Sequence, residues 1–493
     1  MPHPRVAVQQ TVACAAAFTA LSISMWCNTP SHADVRSKNI QPEAAVPFPV
    51  GKGTAPYWTT RQTVCTSPPA TRSTPADFAR VVVIGAGMSG SSAAMHLAQQ
   101  GVSVMLMDAR GVSEGATGRN GGFLFPPALA MLILAAVSGK GVDHFRKSAE
   151  ILFFERDNRA AIRDFVRSRG VACELDHNID VFQVFDSGDE LRAKVGGLLW
   201  PLRGLAGLVG VSVLATRSEL GEALSLPVVG PWQSGLRLSG AADTFCAADV
   251  AKHCVVDAVA AGADWLPGTC AVSLEEAADG SGVTVVTDSG VRVRCEKVIV
   301  ATNAYVPTLI PSLSKYITPV RNHVGVTSPA PPLNRTKSGA RCGISCEDGF
   351  VYLHQRPDGR VVVGGFRNQE TGKGVGEADD SCVVDNVAHA VKTFIPLRFA
   401  LGSGANVTVD KVWTGVIGWS CDDLPWVGPV PEHPAVLVCG GFSGHGLTQT
   451  FLCGKAVAAM ALGQKPAIFV SRFLPSFDRR NTANLVAGHP DPQ

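Results

Sequence analysis

The segment from Arg80 to Asp108 constrains the fold of this chain more than any other part of the sequence. VVVIGAGMSG is a short β-branched run that leads into closely spaced glycines, which is typical of a buried parallel strand followed by a tight turn. SSAAMHLAQQG continues as a helix that ends at Gly101. VSVMLMD predicts a second strand, so the whole segment predicts a β-α-β unit of a doubly wound α/β fold.

The glycines of this unit have the spacing G-x-G-x-x-G, between a strand and the start of a helix. Gly85 permits the sharp turn, Gly87 leaves room for a pyrophosphate against the backbone, and Gly90 allows close packing of helix and strand. The first turn of the helix offers N–H donors and a partial positive charge to the phosphates. Asp108 stands where an acid accepts hydrogen bonds from ribose hydroxyls, which argues against a 2′-phosphate and therefore against NADP. The motif alone does not distinguish NAD from FAD.

A second glycine-dense segment, GATGRNGG, follows a few residues after Asp108. A loop of this composition, with a single arginine, can lie along a phosphate and under a flat ring. The same composition also fits an ordinary flexible turn, and the segment by itself does not decide between the two interpretations.

Five stretches in the same order resemble the D-amino-acid-oxidase-like family of FAD-dependent oxidoreductases, in its glycine oxidase and sarcosine oxidase group. They are VVVIGAGMSGSSAAMHLAQQGVSVMLMDARGVSEGATGRNGG, VIVATNAYVPTLIP, YLHQRPDGRVVVGG, WTGVIGWSCDDLPWVGP and GGFSGHGLTQTFLCGKAVAAMALG. The resemblance is greatest to the amine-oxidising branch that includes γ-glutamylputrescine oxidase. It implies a doubly wound FAD-binding domain, assembled from separated segments, and a mainly antiparallel β substrate domain over the flavin.

The resemblance also implies which residues bind the cofactor. Val272 is assigned to the strand near the adenine, and Asp108 replaces the glutamate that the family more often has. The residues implied to contact FAD are Gly85, Gly87, Met88, Ser89, Gly90, Asp108, Ala109, Arg110, Thr117, Arg119, Asn120, Gly121, Gly122, Val272, Thr302, Asn303, Gly441, Ser443, Gly444, His445, Gly446 and Leu447.

Two departures from the family pattern bear on the chemistry. Gly415 occupies the position at which covalent members carry the flavin-linking cysteine, so we expect noncovalent FAD, with Cys421 lying beyond the attachment point. Ile417 occupies the position of an arginine that clamps the substrate carboxylate in amino-acid-oxidising members. Because a bidentate clamp needs a guanidinium, this favours an amine over a simple α-amino acid.

The sequence assigns no catalytic residue. Four side chains are candidates: His445, Arg356, Tyr352 and His354. A helix that starts near Gly446, together with His445, is expected to supply a dipole and donors to the reduced flavin, although His445 fits equally well as a helix-start residue satisfied by backbone. Arg356 fits an anionic ligand or a surface acid equally well, and His323 and Trp419 are further candidates for lining the flavin face.

The resemblance implies a reaction in which a C–H beside an uncharged amine nitrogen leaves as hydride to flavin N5. The resulting imine hydrolyses, and oxygen or an electron carrier accepts the electrons. A demethylating dehydrogenase that passes electrons to a carrier protein is the alternative enzyme. A flavin-bearing assembly factor without catalytic activity is the alternative from another class.

The expected organisation interleaves the two domains along the chain. A targeting peptide (1–33) and a linker or surface arm (34–79) precede the first FAD-binding part (80–170). Substrate-domain parts (171–240 and 316–420) alternate with further FAD-binding parts (241–315 and 421–475), and a tail (476–493) ends the chain. The apolar stretch after Arg5 and the small residues near Ala33 fit either a secretory signal or an organelle transit peptide, with no stable membrane span in the mature chain.

The composition of the chain argues against some classes of binding partner. Lys and Arg total 43 and Asp and Glu total 41, a net charge of +2, so no bulk electrostatic attraction to nucleic acid is expected. The 14 cysteines are scattered, and no His or Cys cluster has zinc-ligand spacing, so no metal site is predicted. We therefore expect a small amine or amino acid as substrate.

Overall fold

The computed structural model describes residues 46–49, 51, 53–60, 70–126, 142–189, 191, 210–224, 228–277, 281–332, 339, 341–400, 406–431 and 433–479. The segment 1–33, predicted to be a targeting peptide, lies outside them. The described helices are α1 Tyr57–Thr60, α2 Met88–Ala98, α3 Val142–Arg169, α4 Arg217–Leu224, α5 Ala247–Ala260, α6 Val306–Leu309, α7 Asp385–Arg398 and α8 Thr450–Ala461. The described strands are β1 Phe78–Ile84, β2 Val104–Asp108, β3 Phe123–Leu124, β4 Asp176–Phe185, β5 Val211–Leu214, β6 Ser234–Thr244, β7 Asp264–Pro267, β8 Ala271–Glu276, β9 Val283–Thr287, β10 Arg292–Val300, β11 Ile317–Pro329, β12 Cys342–Cys346, β13 Val351–Gln355, β14 Arg360–Gly365, β15 Val409–Ser420, β16 Trp426–Val430 and β17 His433–Gly440.

The first sheet has the strand order β16-β17-β10-β1-β2-β7, and its central strands run parallel. Strands β8 and β9 extend it as an antiparallel flap from β10. The near-continuous apolar character of β1 suits a strand buried on both faces. Val81 and Val83 pack with helices α2, α5 and α8, whereas Val82 and Ile84 pack on the flap side. The predicted β-α-β unit is confirmed at the centre of this sheet.

The second sheet has the order β15-β11-β14-β13-β12-β4-β6-β3, with β5 paired to β6, and its pairs are antiparallel except for β12 with β4. The hairpin of β13 and β14 lies at its centre, with the Pro357-Asp358-Gly359 turn between the two strands. One face packs on helices α4 and α7 through residues such as Leu220 and Val391. The other face points toward the first sheet and its turns.

The two sheets are assembled from interleaved segments, as the resemblance implied. The first sheet takes its strands from residues 78–108, 264–300 and 426–440, and the second takes its strands from residues 123–244 and 317–420. The boundaries differ locally, because β3 already belongs to the second sheet and β6 continues to Thr244.

Two stretches expected to be peripheral pack against the body of the protein. In the expected surface arm, the Trp58 indole is buried and donates to the Asn120 carbonyl (2.8 Å). In the expected tail, Arg479 is buried, pairs with Asp422 (2.6 Å) and lies over the Trp426 ring. Single aromatic and guanidinium side chains therefore anchor both stretches to the body of the protein.

Within the described ranges, no helix has both the length and the apolar character needed to cross a membrane. No group of three or more His, Cys, Asp or Glu side chains is gathered there for a metal ion. The cysteines of the same ranges are free thiols, most of them buried.

Candidate functional site

Three turns meet at one edge of the first sheet. They follow β1 at Gly85, β10 at Ala301 and β17 at Gly441, and these strands are neighbours in the order β17-β10-β1. At the usual strand spacing the first and third turns lie two strands apart, roughly 10 Å. Turns from distant parts of the chain are therefore close enough to contact one extended ligand.

The first turn leaves open space at Gly87 and none at Gly90. Gly85 has φ +103°, which favours glycine, and its N–H donates to the Met107 carbonyl (2.8 Å). A Cβ on Gly90 would collide with the Gly85 carbonyl oxygen, whereas a Cβ on Gly87 would have only the Thr117 hydroxyl nearby, at 3.2 Å. Gly90 thus serves helix–strand packing, and Gly87 keeps an approach to the helix start free.

Asp108 lies beside this turn at the end of β2. Its carboxylate accepts N–H bonds from Ala86 (2.7 Å) and Arg110 (2.8 Å). Burial raises the pKa of Asp108, and the two N–H groups oppose that effect. Each carboxylate oxygen retains an acceptor site, so hydroxyl recognition remains chemically available. Ala109 follows at the same edge, half-buried.

The flap approaches the same edge of the sheet. The Thr269 N–H donates to the Asp108 carbonyl (2.8 Å), and Val272 follows as the second residue of β8. The residue assigned to the adenine therefore lies on a strand that starts a few residues after this contact with the end of β2.

The glycine-dense loop is held by its own side chains. The Thr117 hydroxyl accepts the Met88 N–H of α2 (2.9 Å). The Asn120 side chain donates to the carbonyls of Ala116 (3.1 Å) and Thr117 (2.6 Å) and accepts the Gly122 N–H (2.8 Å). This bonding fixes the backbone against the start of α2, where Ser89 is buried.

Arg119 and Arg110 bind the protein through their side chains. Both guanidinium groups pair with buried Asp380, at 3.1 and 3.0 Å, and Arg119 also donates to the carbonyls of Thr54 (2.7 Å) and Thr414 (2.9 Å). Burial works against both charges. At Arg110 the negative charge of Asp380 has a larger effect than burial, and the pKa is raised. At Arg119 burial has the larger effect, and the pKa is lowered. Both side chains are therefore engaged by other parts of the chain.

Asn303 joins the second turn to the third. Its φ of +50° is left-handed, and its side-chain oxygen accepts N–H bonds from Gly441 (3.1 Å) and Phe442 (3.3 Å). The neighbouring Thr302 hydroxyl is buried without a hydrogen-bond partner in the described structure. An orphaned hydroxyl beside Gly85 is what a bound polar ligand would satisfy.

The third turn differs from the prediction in one respect. A single 3₁₀ turn spans Gly446–Thr448, and the α-helix itself begins at Thr450, so the helix start near Gly446 was predicted about one turn too early. Ser443 has φ +49°, donates its N–H to the Gly418 carbonyl (2.8 Å), and accepts the Ser420 N–H (3.0 Å) at its hydroxyl. The turn is thereby tied to the end of β15.

His445 lies on the third turn, where the space beside it, between the turn and the second sheet, is called the His445 cleft below. His445 makes no side-chain capping bond, and both it and Gly444 are exposed, while Gly446 and Leu447 are half-buried. Desolvation by the surrounding cleft lowers the pKa of His445, an effect that Asp423 and the Ser443 carbonyl oppose. The contact of the His445 ring with the Ser443 backbone is compatible with both interpretations of His445.

Tyr352 and His354 hold Gly121 from the second sheet. The His354 Nε2–H donates to the Gly121 carbonyl (2.7 Å), and a Cβ on Gly121 would collide with the Tyr352 ring. Burial lowers the pKa of His354 to about 4 and raises that of Tyr352. The Phe123 ring stacks on both, with centroids at 5.8 and 6.0 Å. His354 therefore positions the loop as a neutral donor.

Two other predicted residues are committed elsewhere. Arg356 is buried, pairs with Glu174 (2.5 Å), and lies over the rings of Tyr57 and Trp58. His323 lies on the helix α7 side of the second sheet, where its Nε2 accepts the Val384 N–H (3.1 Å). We therefore do not carry either residue forward as a ligand contact.

Two important residues were missed by sequence reasoning. Asp380, the shared partner of Arg110 and Arg119, lies in an irregular segment beside a second acid, Asp379, and no motif distinguishes the two. Arg367 is a buried arginine after β14 that stacks on Trp419. The Gly-Gly pair at the end of β14 gave only a turn signal, because a sequence does not show which cation lacks an anion.

These turns define a dinucleotide-binding α/β protein with a β-sheet domain over the ligand edge. Residues 80–460 match the model of the DAO family, described as FAD dependent oxidoreductase. The chain therefore belongs to this family of FAD-dependent enzymes. The open space at Gly87, the orphaned Thr302 hydroxyl and the acceptors of Asp108 fit the cofactor.

Similar proteins agree with this assignment. A probable oxidoreductase OrdL of Rhizobium meliloti (strain 1021) is 27% identical over 397 residues, which cover 78% of this chain and 83% of that protein. A gamma-glutamylputrescine oxidoreductase of Escherichia coli (strain K12) is 25% identical over 401 residues, 80% of this chain and 87% of that protein. A crystal structure of glycine oxidase from Geobacillus kaustophilus shares the fold, with TM-score 0.64 and 16% identity over 82% of this chain and 99% of that chain.

Proposed function

We propose that this chain oxidises a C–N bond of an amine or amino acid and that the turn at Gly441–Gly446 lies beside the reacting end of the flavin. The observation that carries the proposal is the meeting of three turns at one sheet edge, where Ile417 of the second sheet approaches Gly444 of the third turn. The names of similar proteins support this substrate class, since γ-glutamylputrescine is an amine and glycine an amino acid.

The chain's own residues would hold the cofactor along this edge. Gly85, Gly87 and the first turn of α2 receive the pyrophosphate, and Asp108 accepts ribose hydroxyls. The Gly121–Gly122 backbone and the turn at Gly441–Gly446 would flank the ring system. The other assigned contacts remain part of this proposal: Met88, Ser89, Gly90, Ala109, Arg110, Thr117, Arg119, Asn120, Val272, Thr302, Asn303, Ser443, Gly444, His445 and Leu447. When bound, FAD supplies hydride acceptance from the carbon beside the amine nitrogen.

The substrate side is built for orientation and exclusion of water. Ile417 and Trp419 alternate on one face of β15, and Ile417 approaches Gly444 of the third turn. Desolvation lowers the pKa of His445 and so favours its neutral form; with one ring N–H directed at the Ser443 backbone, the other ring nitrogen offers a lone pair to the cleft. These groups position an uncharged amine, after which the imine product hydrolyses in water.

Noncovalent FAD is part of this proposal. Gly415, at the linking position, faces the Arg119 side chain, whose Cβ lies 3.0 Å from a Cβ built on Gly415. Cys421 packs at the edge of the core on the flap side of the first sheet. Neither position brings a free thiol to the cleft.

Anaerobic mixing of the purified yellow protein with individual amines and amino acids tests the reaction. We expect bleaching of the flavin absorbance by at least one compound, and rapid recovery of colour when air is admitted. Recovery that needs an added electron carrier would favour the dehydrogenase. Protein that stays yellow with the whole panel would contradict the proposal and favour an assembly factor.

A pair of histidine variants localises the reaction. His445→Asn should slow bleaching about 10-fold or more while the protein stays yellow, because the cleft loses an imidazole beside the third turn. His433→Asn is the matched control, since His433 is an exposed histidine at the opposite end of β17, paired with Glu276. Equal rates in the two variants would remove His445 from the site.

A further inference from the structure

Residues 53–59 precede both sheets in the chain and are called the 53–59 segment below. The segment includes most of α1 and makes hydrogen bonds to residues far away in the chain. Trp58 is its most buried described side chain: only 3% of its surface is exposed, and it packs in the core on the α2 side of the first sheet. The segment is therefore part of the packed protein although it belongs to neither sheet.

One end of the segment binds the side chain of Arg119, which lies in the glycine-dense loop. The Arg119 guanidinium donates to the Thr54 carbonyl (2.7 Å). Thr54 is held in turn by its N–H (2.7 Å) and its hydroxyl (3.0 Å), which both donate to the Asp380 carbonyl, while its hydroxyl accepts the Thr414 N–H (2.8 Å). A Cβ on Gly53 would collide with the side chains of Arg119 and Asp380, so the backbone passes directly against this ion pair.

The other end binds the backbone of the same loop. The Trp58 indole N–H donates to the Asn120 carbonyl (2.8 Å). The preceding carbonyl accepts the Trp413 indole N–H (2.8 Å), and the following carbonyl accepts the ring N–H of His354 (2.7 Å). Three successive loop carbonyls thus each accept a hydrogen bond from a buried ring of a different part of the chain. The 53–59 segment supplies the middle bond of the three.

Two further contacts fix the orientation of the Trp58 ring. The guanidinium carbon of Arg356 lies 4.8 Å from the ring centre, and Arg356 is itself held by Glu174. On the loop side, a Cβ built on Gly122 would lie 3.6 Å from the ring. If Trp58 moved away, the Asn120 carbonyl would be left buried without its donor. Because an unsatisfied buried carbonyl is unfavourable, the loop would then favour conformations that expose this group to water.

We propose that the 53–59 segment is a positioning element of the cofactor site: Trp58 and Thr54 hold the glycine-dense loop in the conformation that binds FAD, and bound FAD holds the segment in place. The inference rests on the place that the proposed function gives to the backbone of residues 121–122, and it is independent of the substrate. Such coupling is reciprocal, because a contact that raises FAD affinity is itself strengthened by FAD by the same factor. Removing these contacts therefore weakens FAD binding, although neither residue contacts the cofactor.

Fluorescence titration of deflavinated full-length variants with FAD tests the positioning role of Trp58. Trp58→Phe keeps an aromatic ring but removes the donor to the Asn120 carbonyl, so FAD should bind roughly 5- to 100-fold more weakly. Trp232→Phe is the matched control. Trp232 is also buried, but it packs on the α7 side of the second sheet, and its indole N–H has no hydrogen-bond partner within the described structure. This control should bind FAD like the wild type.

The same titration applies to the other end of the segment. Thr54→Val removes the hydroxyl bonds to Asp380 and Thr414 and should weaken FAD binding roughly 2- to 10-fold, whereas Thr54→Ser keeps the hydroxyl and should bind like the wild type. Thr59→Val is the control within the segment, since the exposed Thr59 donates its hydroxyl to the nearby Pro56 carbonyl (2.8 Å). Wild-type FAD affinity in both Trp58→Phe and Thr54→Val would overturn the proposal.

Chymotrypsin cleavage of the unaltered protein tests the reverse direction of the coupling and does not depend on the folding of any variant. Cleavage after Tyr57 or Trp58 requires the segment to detach, whereas cleavage after Leu397, which is exposed on α7, reports opening elsewhere. Saturating FAD should slow cleavage in the segment roughly 5-fold more than cleavage at Leu397. Equal slowing at both places would mean that FAD stabilises the fold as a whole, and it would overturn the coupling.

Both measurements are made without substrate, which separates this inference from the proposed function. Coupling between FAD and the segment, without bleaching by any amine or amino acid, supports this inference and contradicts only the proposed oxidation. Bleaching by an amine, with no coupling between FAD and the segment, overturns only the role of the segment.

Discussion

Replacing Gly87 with alanine tests whether the open space at the first turn belongs to the cofactor or to the protein. Gly87 has φ −73°, which alanine adopts without strain, and the nearest atom to an added methyl is the Thr117 hydroxyl at 3.2 Å. The variant without cofactor should therefore be as stable as the wild type, or more stable by up to about 1 kcal/mol, because alanine restricts the unfolded chain.

The cofactor should respond differently. A methyl group at Gly87 occupies the approach of the pyrophosphate to the start of α2 and removes about one charge-assisted hydrogen bond. Such bonds are worth about 1.5–3 kcal/mol, which corresponds to roughly 10- to 150-fold weaker FAD binding. Fluorescence titration of deflavinated protein with FAD measures the affinity, and urea unfolding of the same preparation measures the stability.

Gly90→Ala is the contrasting variant three residues away. Its methyl would collide with the Gly85 carbonyl oxygen, which is backbone and cannot rotate aside. Forced repacking of this kind costs about 1–3 kcal/mol, so Gly90→Ala should destabilise the protein even without FAD. If Gly87→Ala binds FAD within twofold of the wild type, or if Gly90→Ala unfolds like the wild type, the roles assigned to the two glycines are incorrect.

Three further predictions follow from the site. His354 has a pKa of about 4 in the folded protein against 6.5 in the unfolded chain. Between these pH values the unfolded chain binds a proton that the folded protein does not. The free energy of unfolding should therefore decrease by about 3 kcal/mol as the pH falls from about 6.5 to 4. In His354→Gln, urea unfolding should show a shallower pH dependence, and an unchanged slope would exclude His354 as a source. Asn303→Ala should cost about 1–3 kcal/mol in urea unfolding, because the Gly441 and Phe442 N–H groups lose their acceptor, whereas Asn303→Asp should retain most of it. Acid precipitation should leave the yellow colour in the supernatant, since we expect noncovalent FAD; a yellow pellet would instead indicate a covalent link.

The β-α-β unit could be predicted because the sequence patterns that specify it lie close together in the chain. The strand, glycine turn, helix and Asp108 all lie within thirty residues, and each step has its own sequence pattern. The order β17-β10-β1 has no such local signal, because it pairs segments hundreds of residues apart. That the turns at Gly85 and Gly441 share one sheet edge was therefore available only from the family resemblance.

Contacts between distant polar groups were the least predictable part of the site. The sequence pattern of the glycine-dense loop suggested ligand contacts for Arg119, yet Thr54 and Asp380 satisfy its guanidinium from two irregular segments. The 3₁₀ turn before α8 was also missed, since the Gly-rich sequence around Gly446 fits either kind of helix start.

The buried arginines show why residue type alone does not identify the partner of a charged side chain. A buried guanidinium must meet an anion, and the fold decides whether that anion comes from the protein or from a ligand. Arg119, which the resemblance implied as a cofactor contact, and Arg356, for which an anionic ligand and an acid of the protein fitted equally well, receive Asp380 and Glu174 from the chain itself. Arg367, which carried no motif, receives aromatic rings and no acid among the described residues. Which buried arginines the chain itself neutralises therefore depends on contacts between distant segments, and these contacts leave no pattern in the sequence.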